Sequence, residues 1–451
     1  MPSEHYSQFS ILNSPFRRWI RLLFLQLLAA LAGPLVRRRK GVIASVLYIK
    51  PDHLGDLLLA TPVLAALRQR LPDAHVTALV GPWSRMALDR NPDIDALATC
   101  PFPGFERRRP DDGARTKDQG PKLSRILWSL VFGLWSLVRP YLLLLRYALL
   151  LRAGCYDLAI VGRDDHWWGA ALALLAGVPQ RVGFAMPECR PFLTEALPWN
   201  PRDHVTAQGL ALVEAAADLH PPTLLRPRGS RARRGAGQAA RAALGDSGQS
   251  GARAIPARFD PAPDDITWAQ DWIAAQGFAT SPLVVLHPGT GGPAKLWFPE
   301  RWAEVADALQ AVGARLVLTG GPDEQALVAA VAAHMRSPVL SLAGQTSVGQ
   351  LAALLRLSAL VLGVDSGPTH LAAAQGARTI HLYGPGDAGR FGPWGDPARH
   401  VVLREDLWCS PCGEFAACPR GLARPECMER IDVARVVAQA LEMLENVVRS
   451  V

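Results

Sequence analysis

The sequence predicts an α/β protein of two doubly wound domains. Short apolar runs of strand length alternate with helical stretches through both halves of the 451-residue chain, which is the rhythm of βαβ units on a parallel sheet. The predicted strands end in Gly, Thr, Asp or Lys, and loops of that kind suit a shared cleft. The length is enough for two domains with additions.

Lys and Arg exceed Asp and Glu, for a net charge of +8. A basic balance fits nucleic acid, anionic lipid or a phosphorylated substrate. No zinc-finger, RNA-recognition or helix-turn-helix signature is present, which argues against nucleic acid. Seven cysteines in a chain this long do not make a disulfide scaffold.

Residues 1–41 read as a basic, apolar, membrane-associating segment. Trp19 to Val36 is an apolar run, preceded by Arg17-Arg18 and followed by Arg37-Arg38-Arg39-Lys40. A signal peptide ranks last, because the lead-in is long and a basic flank follows. A spanning helix ranks second, because the run is marginal in length. A helix lying in the interface, with Arg heads among anionic lipids, fits best.

The first domain, 42–220, opens with the strand Ser45 to Lys50. The loop Pro51 to Asp56 leads to a mostly buried helix, Leu57 to Arg68. Asp56 therefore sits near a helix N-terminus at a strand's carboxyl end. The dipole there favours the anion, whether it serves as a cap or a base. A second strand spans His75 to Val80. Asp93 and Asp95 form an Asp-x-Asp pair after Asn-Pro and read as an ordinary loop. Residues 107–152 form an insertion. Arg107 to Lys122 reads as a mobile loop. Leu123 to Arg152 is apolar but interrupted by Arg125, Arg139, Arg146 and Arg152, and reads as amphipathic helices at a membrane surface. A buried helical hairpin or an oligomer interface is the plainer alternative. Strands at Tyr156–Val161 and Arg181–Phe184, and helices near Ala170–Ala176 and Val205–Asp218, complete the domain. The Arg/Ala/Gly-rich stretch 221–262 reads as a linker.

The second domain, 263–451, has strands at Leu283–Leu286, Ala314–Thr319, Val339–Leu342, Leu360–Val364 and Thr379–Tyr383, with helices between them. The run from Leu360 to Ala374 reads as a buried strand, a sharp turn and a helix. Ser366 or Gly367 can cap that helix, and Pro368 suits its first turn. Asp365 then lies at the strand's carboxyl end beside free amides, where α/β sheets hold anions such as phosphate.

Four motifs together carry a family resemblance. They are Gly55-Asp56-Leu57-Leu58-Leu59-Ala60-Thr61-Pro62; His287-Pro288-Gly289-Thr290 with Lys295 and Trp297; Thr319-Gly320-Gly321-Pro322-Asp323-Glu324; and Asp365-Ser366-Gly367-Pro368-Thr369-His370. The set resembles glycosyltransferase family 9, the lipopolysaccharide heptosyltransferases and their relatives. The resemblance implies a GT-B fold, two Rossmann-like domains facing a central cleft. It implies inverting transfer of heptose from ADP-L-glycero-D-manno-heptose to a lipopolysaccharide core acceptor. Asp56 matches the family's catalytic base, and Lys295 the lysine facing the donor phosphates. Thr290 matches a donor-loop threonine. Asp365 to His370, with Ser366, Gly367 and Thr369, match the donor-binding loop. Asp323 or Glu324 matches an acidic ribose contact.

Inversion needs one base and a stabilised leaving diphosphate, so no cofactor is required for catalysis. Cys409, Cys412, Cys418 and Cys427 fall in one window and could hold a structural zinc. The expected partners are a nucleotide-sugar donor, a lipid-linked saccharide acceptor and an anionic membrane surface. The expected location is the cytoplasmic face of the inner membrane, peripherally bound. Another nucleotide sugar, a protein acceptor, or an inactive GT-B scaffold are the competing readings.

Overall fold

The computed structural model describes residues 15–36, 41–105, 138–219, 255–278 and 281–448. Twelve strands form two six-stranded sheets, and every pairing is parallel. The first sheet contains β1 (Ser45–Lys50), β2 (His75–Val80), β3 (Ala96–Thr99), β4 (Leu158–Val161), β5 (Gln180–Phe184) and β6 (Glu195–Leu197). Its order is β3-β2-β1-β4-β5-β6. The second contains β7 (Leu283–His287), β8 (Arg315–Leu318), β9 (Leu340–Ser341), β10 (Leu360–Val364), β11 (Thr379–Tyr383) and β12 (His400–Arg404). Its order is β12-β11-β10-β7-β8-β9.

Both sheets thus have the same winding, which bears out the expected fold class. The order reverses between β1 and β4, where Val46 faces Leu158, and between β7 and β10, where Val284 faces Leu360. At such a reversal the connections leave to opposite faces and open a crevice beyond the strands' carboxyl ends. The inner strands are covered on both faces. Val46 to Lys50 and Leu360 to Val364 are buried along their whole length, as their continuous apolar runs require.

One expected helix is two. Leu57 to Arg68 breaks into α2 (Leu54–Leu58) and α3 (Thr61–Arg70). Pro62 has no N–H to donate and its ring crowds the carbonyl four residues back. The Leu58 carbonyl instead accepts from Thr61 Oγ1 at 2.7 Å. The break leaves α2 as a single turn that carries Asp56.

On the outer side of the first domain lie α1 (Pro15–Ala32) and α4 (residues 138–152). Leu25, Leu144, Ala148 and Leu151 share one core cluster with α5 (Trp167–Leu175). Among the described residues no helix is long and apolar enough to cross a membrane. Residues 107–137 of the insertion, the basic flank 37–40 and linker residues 221–254 lie outside the described residues. The domain closes with α6 (Val205–Asp218), as expected.

The second sheet is flanked by α7 (Pro263–Ala275), α8 (Pro299–Ala311), α9 (Gln325–His334), α10 (Val348–Arg356), α11 (Gly367–Ala374) and α12 (Val433–Val448). Ser347 and Gln350 start α10 with reciprocal bonds of 3.0 and 2.9 Å, the capping-box arrangement that their spacing favours. The apolar core continues from one domain into the other, with Leu64, Val213, Phe259 and Leu355 in one cluster. A polar contact crosses the same boundary, and another ties the linker to the second domain. His204 Nε2 lies 3.0 Å from Gly392 O, and Gln375 donates to Phe259 O at 2.6 Å.

Candidate active site

The two crevices face each other. On the first domain, β1 ends at Lys50 and its loop carries Asp52, while β4 ends beside Gly162 and Arg163. Lys50 Nζ donates to Gly162 O at 2.9 Å and pairs with Asp52 Oδ2 at 3.1 Å. Arg163 pairs with the other Asp52 oxygen, and with Asp165 Oδ1 at 2.5 Å. Burial alone would push Asp52 up, but the two cations hold it well below the usual carboxylate range.

Asp56 sits half-buried in α2 beside this network. Burial and the Asp52 charge raise its pKa above the ordinary value, and Lys50, Arg163 and His370 offset only part of that. A carboxylate raised in this way binds a proton more tightly, as a general base needs to. Lys50, Asp52 and Arg163 were not among the expected site residues. Their meeting depends on β1 and β4 being neighbours, and no local motif announces that.

On the second domain, Asp365 follows β10. Its Oδ2 lies 3.3 Å from Lys295 Nζ and its Oδ1 3.9 Å from His370 Nε2. Burial would raise Asp365, yet His370 and Lys295 hold it down at about 2. A Cβ on Gly386 would stand 2.5 Å from Asp365 Oδ2, so that glycine lets the β11 loop close over the carboxylate. Thr290 Oγ1 donates to Asp365 O at 3.1 Å, tying the loops after β7 and β10 together.

The turn into α11 differs from expectation in two details. Ser366 is the N-cap residue but makes no side-chain capping bond. Thr369 Oγ1 closes the turn instead, at 2.8 Å from Ser366 O and 3.1 Å from Val364 O. The His370 amide is taken by Ser366 O at 3.3 Å, and Pro368 has none. The helix start therefore offers an anion the amides of Gly367 and Thr369.

Lys295 ends a 3-10 turn, Pro293–Lys295. Trp297, 1% exposed, anchors that turn edge-on against Trp302 at 4.9 Å. Phe415 holds the ammonium from another side, its ring 4.8 Å from Lys295 Nζ and its carbonyl 3.0 Å from the Ala294 amide. Of the two acids after β8, Glu324 turns inward. Its Oε2 accepts from the Gly321 amide at 2.7 Å and lies 3.5 Å from His287 Nε2. Asp323 is exposed.

Cys409, Cys412, Cys418 and Cys427 line one cavity of about 20 Å³ with Glu414 and Glu426. All seven cysteines are free thiols. Burial and the neighbouring thiols push Cys427 up to about 11. Among the described residues no three His, Cys, Asp or Glu side chains stand so as to hold a metal ion. The zinc expected from spacing therefore has no seat in this arrangement. What the loop does is brace the second domain's wall of the crevice. Ser410 Oγ donates to Gly384 O at 2.6 Å and the Gly413 amide to Pro385 O at 2.9 Å, which fixes the loop that carries Phe415.

The halves touch where α2 meets α11. A Cβ on Gly55 would lie 3.3 Å from His370 Cδ2. Asp56, Lys295, Asp365 and His370 thus border one crevice between the domains, with a carboxylate on one wall and cationic and amide groups on the other.

The profile of glycosyltransferase family 9 (heptosyltransferase) matches residues 144–418, more than half of the chain. The chain belongs to this family. Among relatives of the family 9 enzyme, lipopolysaccharide heptosyltransferase 3 of Escherichia coli strain K12 is 27% identical over 386 residues, covering 79% of this chain and 91% of that protein. Lipopolysaccharide heptosyltransferase 2 of Salmonella typhimurium is 24% identical over 374 residues, covering 79% and 88%. Among solved structures, a family 9 glycosyl transferase from Veillonella parvula has a TM-score of 0.63 at 21% identity, covering 89% of this chain and 97% of that one. The E. coli ADP-heptose lps heptosyltransferase II has a TM-score of 0.59 at 18% identity, covering 89% and 99%. The glycosyltransferase thus has the GT-B architecture, as its sequence implies.

Proposed function

We propose that this glycosyltransferase transfers heptose, with inversion, from ADP-L-glycero-D-manno-heptose to a lipopolysaccharide core acceptor at the cytoplasmic face of the membrane. Asp56 takes the proton from an acceptor hydroxyl. That oxygen attacks the anomeric carbon on the face opposite the diphosphate, and the bond from carbon to diphosphate oxygen breaks. The nucleoside diphosphate leaves with the electron pair. Lys295 and the amides of Gly367 and Thr369 neutralise the charge that develops on it. Glu324 is the acid assigned to the ribose. Asp365 orients Lys295 and His370, and Thr290 and Ser366 shape the same loop.

The observation that carries this reading is the placing of half-buried Asp56 on the wall facing Lys295, Asp365 and His370, where burial and the Asp52 charge favour its protonated form. Two relatives named as lipopolysaccharide heptosyltransferases support the choice of sugar and acceptor. The test measures nucleotide release from ADP-heptose, UDP-sugars and GDP-sugars in the presence of a lipid A-core acceptor. ADP release dependent on acceptor is expected. Release from UDP-sugars alone would overturn the heptose assignment.

A further inference from the structure

We propose that α1 and α4 form a single docking face that seats the enzyme on a bilayer containing anionic phospholipid. Both helices bury one side in the first domain, through Leu25 and Ala32 on α1 and Leu144, Ala148 and Leu151 on α4. Their outer sides are just as apolar. Leu23, Leu27 and Leu31 on α1, and Leu142, Leu145 and Leu149 on α4, are 44% to 72% exposed. Eleven of the eighteen exposed large apolar side chains among the described residues stand on these two helices. Apolar side chains on the outer as well as the inner face of a helix call for an apolar medium, and a contiguous patch of this kind marks an interaction surface. The helices adjoin, since Phe24 meets Tyr141 edge-on at 5.9 Å.

Charge selects the occupant. Residues 15–36 and 138–152 contain no Asp or Glu, while Arg21, Arg139, Arg146 and Arg152 lie along them. A surface that is apolar and anionic at once is the headgroup–acyl boundary of a bilayer with acidic lipids. A second copy of the same face would bring arginine against arginine. Position agrees as well. Trp168 Nε1 donates to Pro140 O at 3.0 Å, and Arg21 lies over the Trp167 ring at 5.6 Å. Those tryptophans follow Arg163 to His166 at the carboxyl end of β4, so the docking face borders the mouth of the cleft. An acyl-anchored acceptor could then meet Asp56 without leaving the membrane. That last step rests on the proposed function; the docking itself does not.

The test is co-sedimentation of the full chain with vesicles of phosphatidylethanolamine and phosphatidylglycerol, and with vesicles of phosphatidylcholine alone, alongside sedimentation velocity without lipid. Binding to the anionic vesicles that weakens in high salt is expected. The double variant L27D/L145D, at exposed positions, should keep the thermal transition and lose vesicle binding. R139Q/R146Q should weaken binding by roughly tenfold or more. Transfer to a delipidated, soluble acceptor should be the same in both variants as in the parent, which separates docking from catalysis. A parent chain that stays in the supernatant with anionic vesicles overturns the proposal. So does a dimer that L27D/L145D dissolves, because a second copy would then own the face.

Discussion

A Cβ placed on Gly55 would stand 3.4 Å from the Cα of Gly367, so two glycines from different domains let α2 and α11 approach closely across the cleft. Gly55 lies within α2, so a side chain there is free of backbone strain and acts only as a spacer. Gly55→Val should hold the domains apart while leaving each intact. A displacement of about 1 Å costs roughly 100-fold in rate when it separates reacting groups. The expected outcome is a kcat/KM reduced by about that factor, with nucleotide-sugar affinity close to the parent's. Near-parental turnover would show that closure at this contact is not needed.

Asp56→Asn keeps the shape and removes the base of the proposed mechanism. General-base loss costs roughly 10²–10⁴ in rate, so transfer should be abolished in a radiolabel assay while donor binding by calorimetry persists. The raised pKa fixes the sign of two further effects. In the parent, the acid limb of the kcat/KM profile should lie above the usual carboxylate range, with activity falling as pH drops through it. Folding favours protonated Asp56, so stability is lost as pH rises through its folded pKa, and at neutral pH the charged residue is a burden. The Asn variant should therefore melt higher, by roughly 2–4 °C for each kcal/mol released. A variant that melts lower would mean that Lys50 and Arg163 need the Asp56 charge.

Lys295 and Phe415 separate chemistry from positioning. Lys295→Met removes the cation, and loss of one stabilising group at a leaving anion costs roughly 10²–10³ in kcat. Phe415→Ala leaves the cation but frees it. A cation–π contact is worth about 0.5–2 kcal/mol, so kcat should fall by roughly 2- to 30-fold. Rescue by Phe415→Trp, the stronger ring, would distinguish positioning of the ammonium from simple disturbance of the cysteine loop.

The parts legible in the sequence were those set by local pattern. Inner strands such as β1 and β10 carry unbroken apolar runs because both faces are covered. The strands β3, β6 and β12 are short and partly exposed edge strands that no pattern longer than three apolar residues marks. Asp56, Lys295 and Asp365 stand in contiguous motifs. The choice of Glu324 over Asp323 depends on which side chain turns inward, and the exchange of Ser366 for Thr369 in closing the α11 turn depends on backbone angles. Neither is written in residue type. The Lys50–Asp52–Arg163 network was the least legible, since Asp52 and Arg163 are 111 residues apart and meet only because the strand order places β4 beside β1.

That network carries the last prediction. The Asp52 side chain is 3% exposed and that of Arg163 is 20% exposed, so Arg163→Met strands a carboxylate between the domain wall and Lys50 alone. Removing one partner of a buried pair costs about 3–5 kcal/mol, mostly as the penalty of the charge left behind. The urea midpoint should fall accordingly at neutral pH. Because the cations depress Asp52, its contribution is present above the usual carboxylate range and disappears as pH falls. The gap between parent and variant should narrow as the solution is acidified. Adding Asp52→Asn to Arg163→Met should recover part of the loss, since the two residues share one interaction. If the double variant is instead as unstable as the sum of both single changes, Asp52 and Arg163 stabilise the fold independently, and the stranded-charge explanation fails.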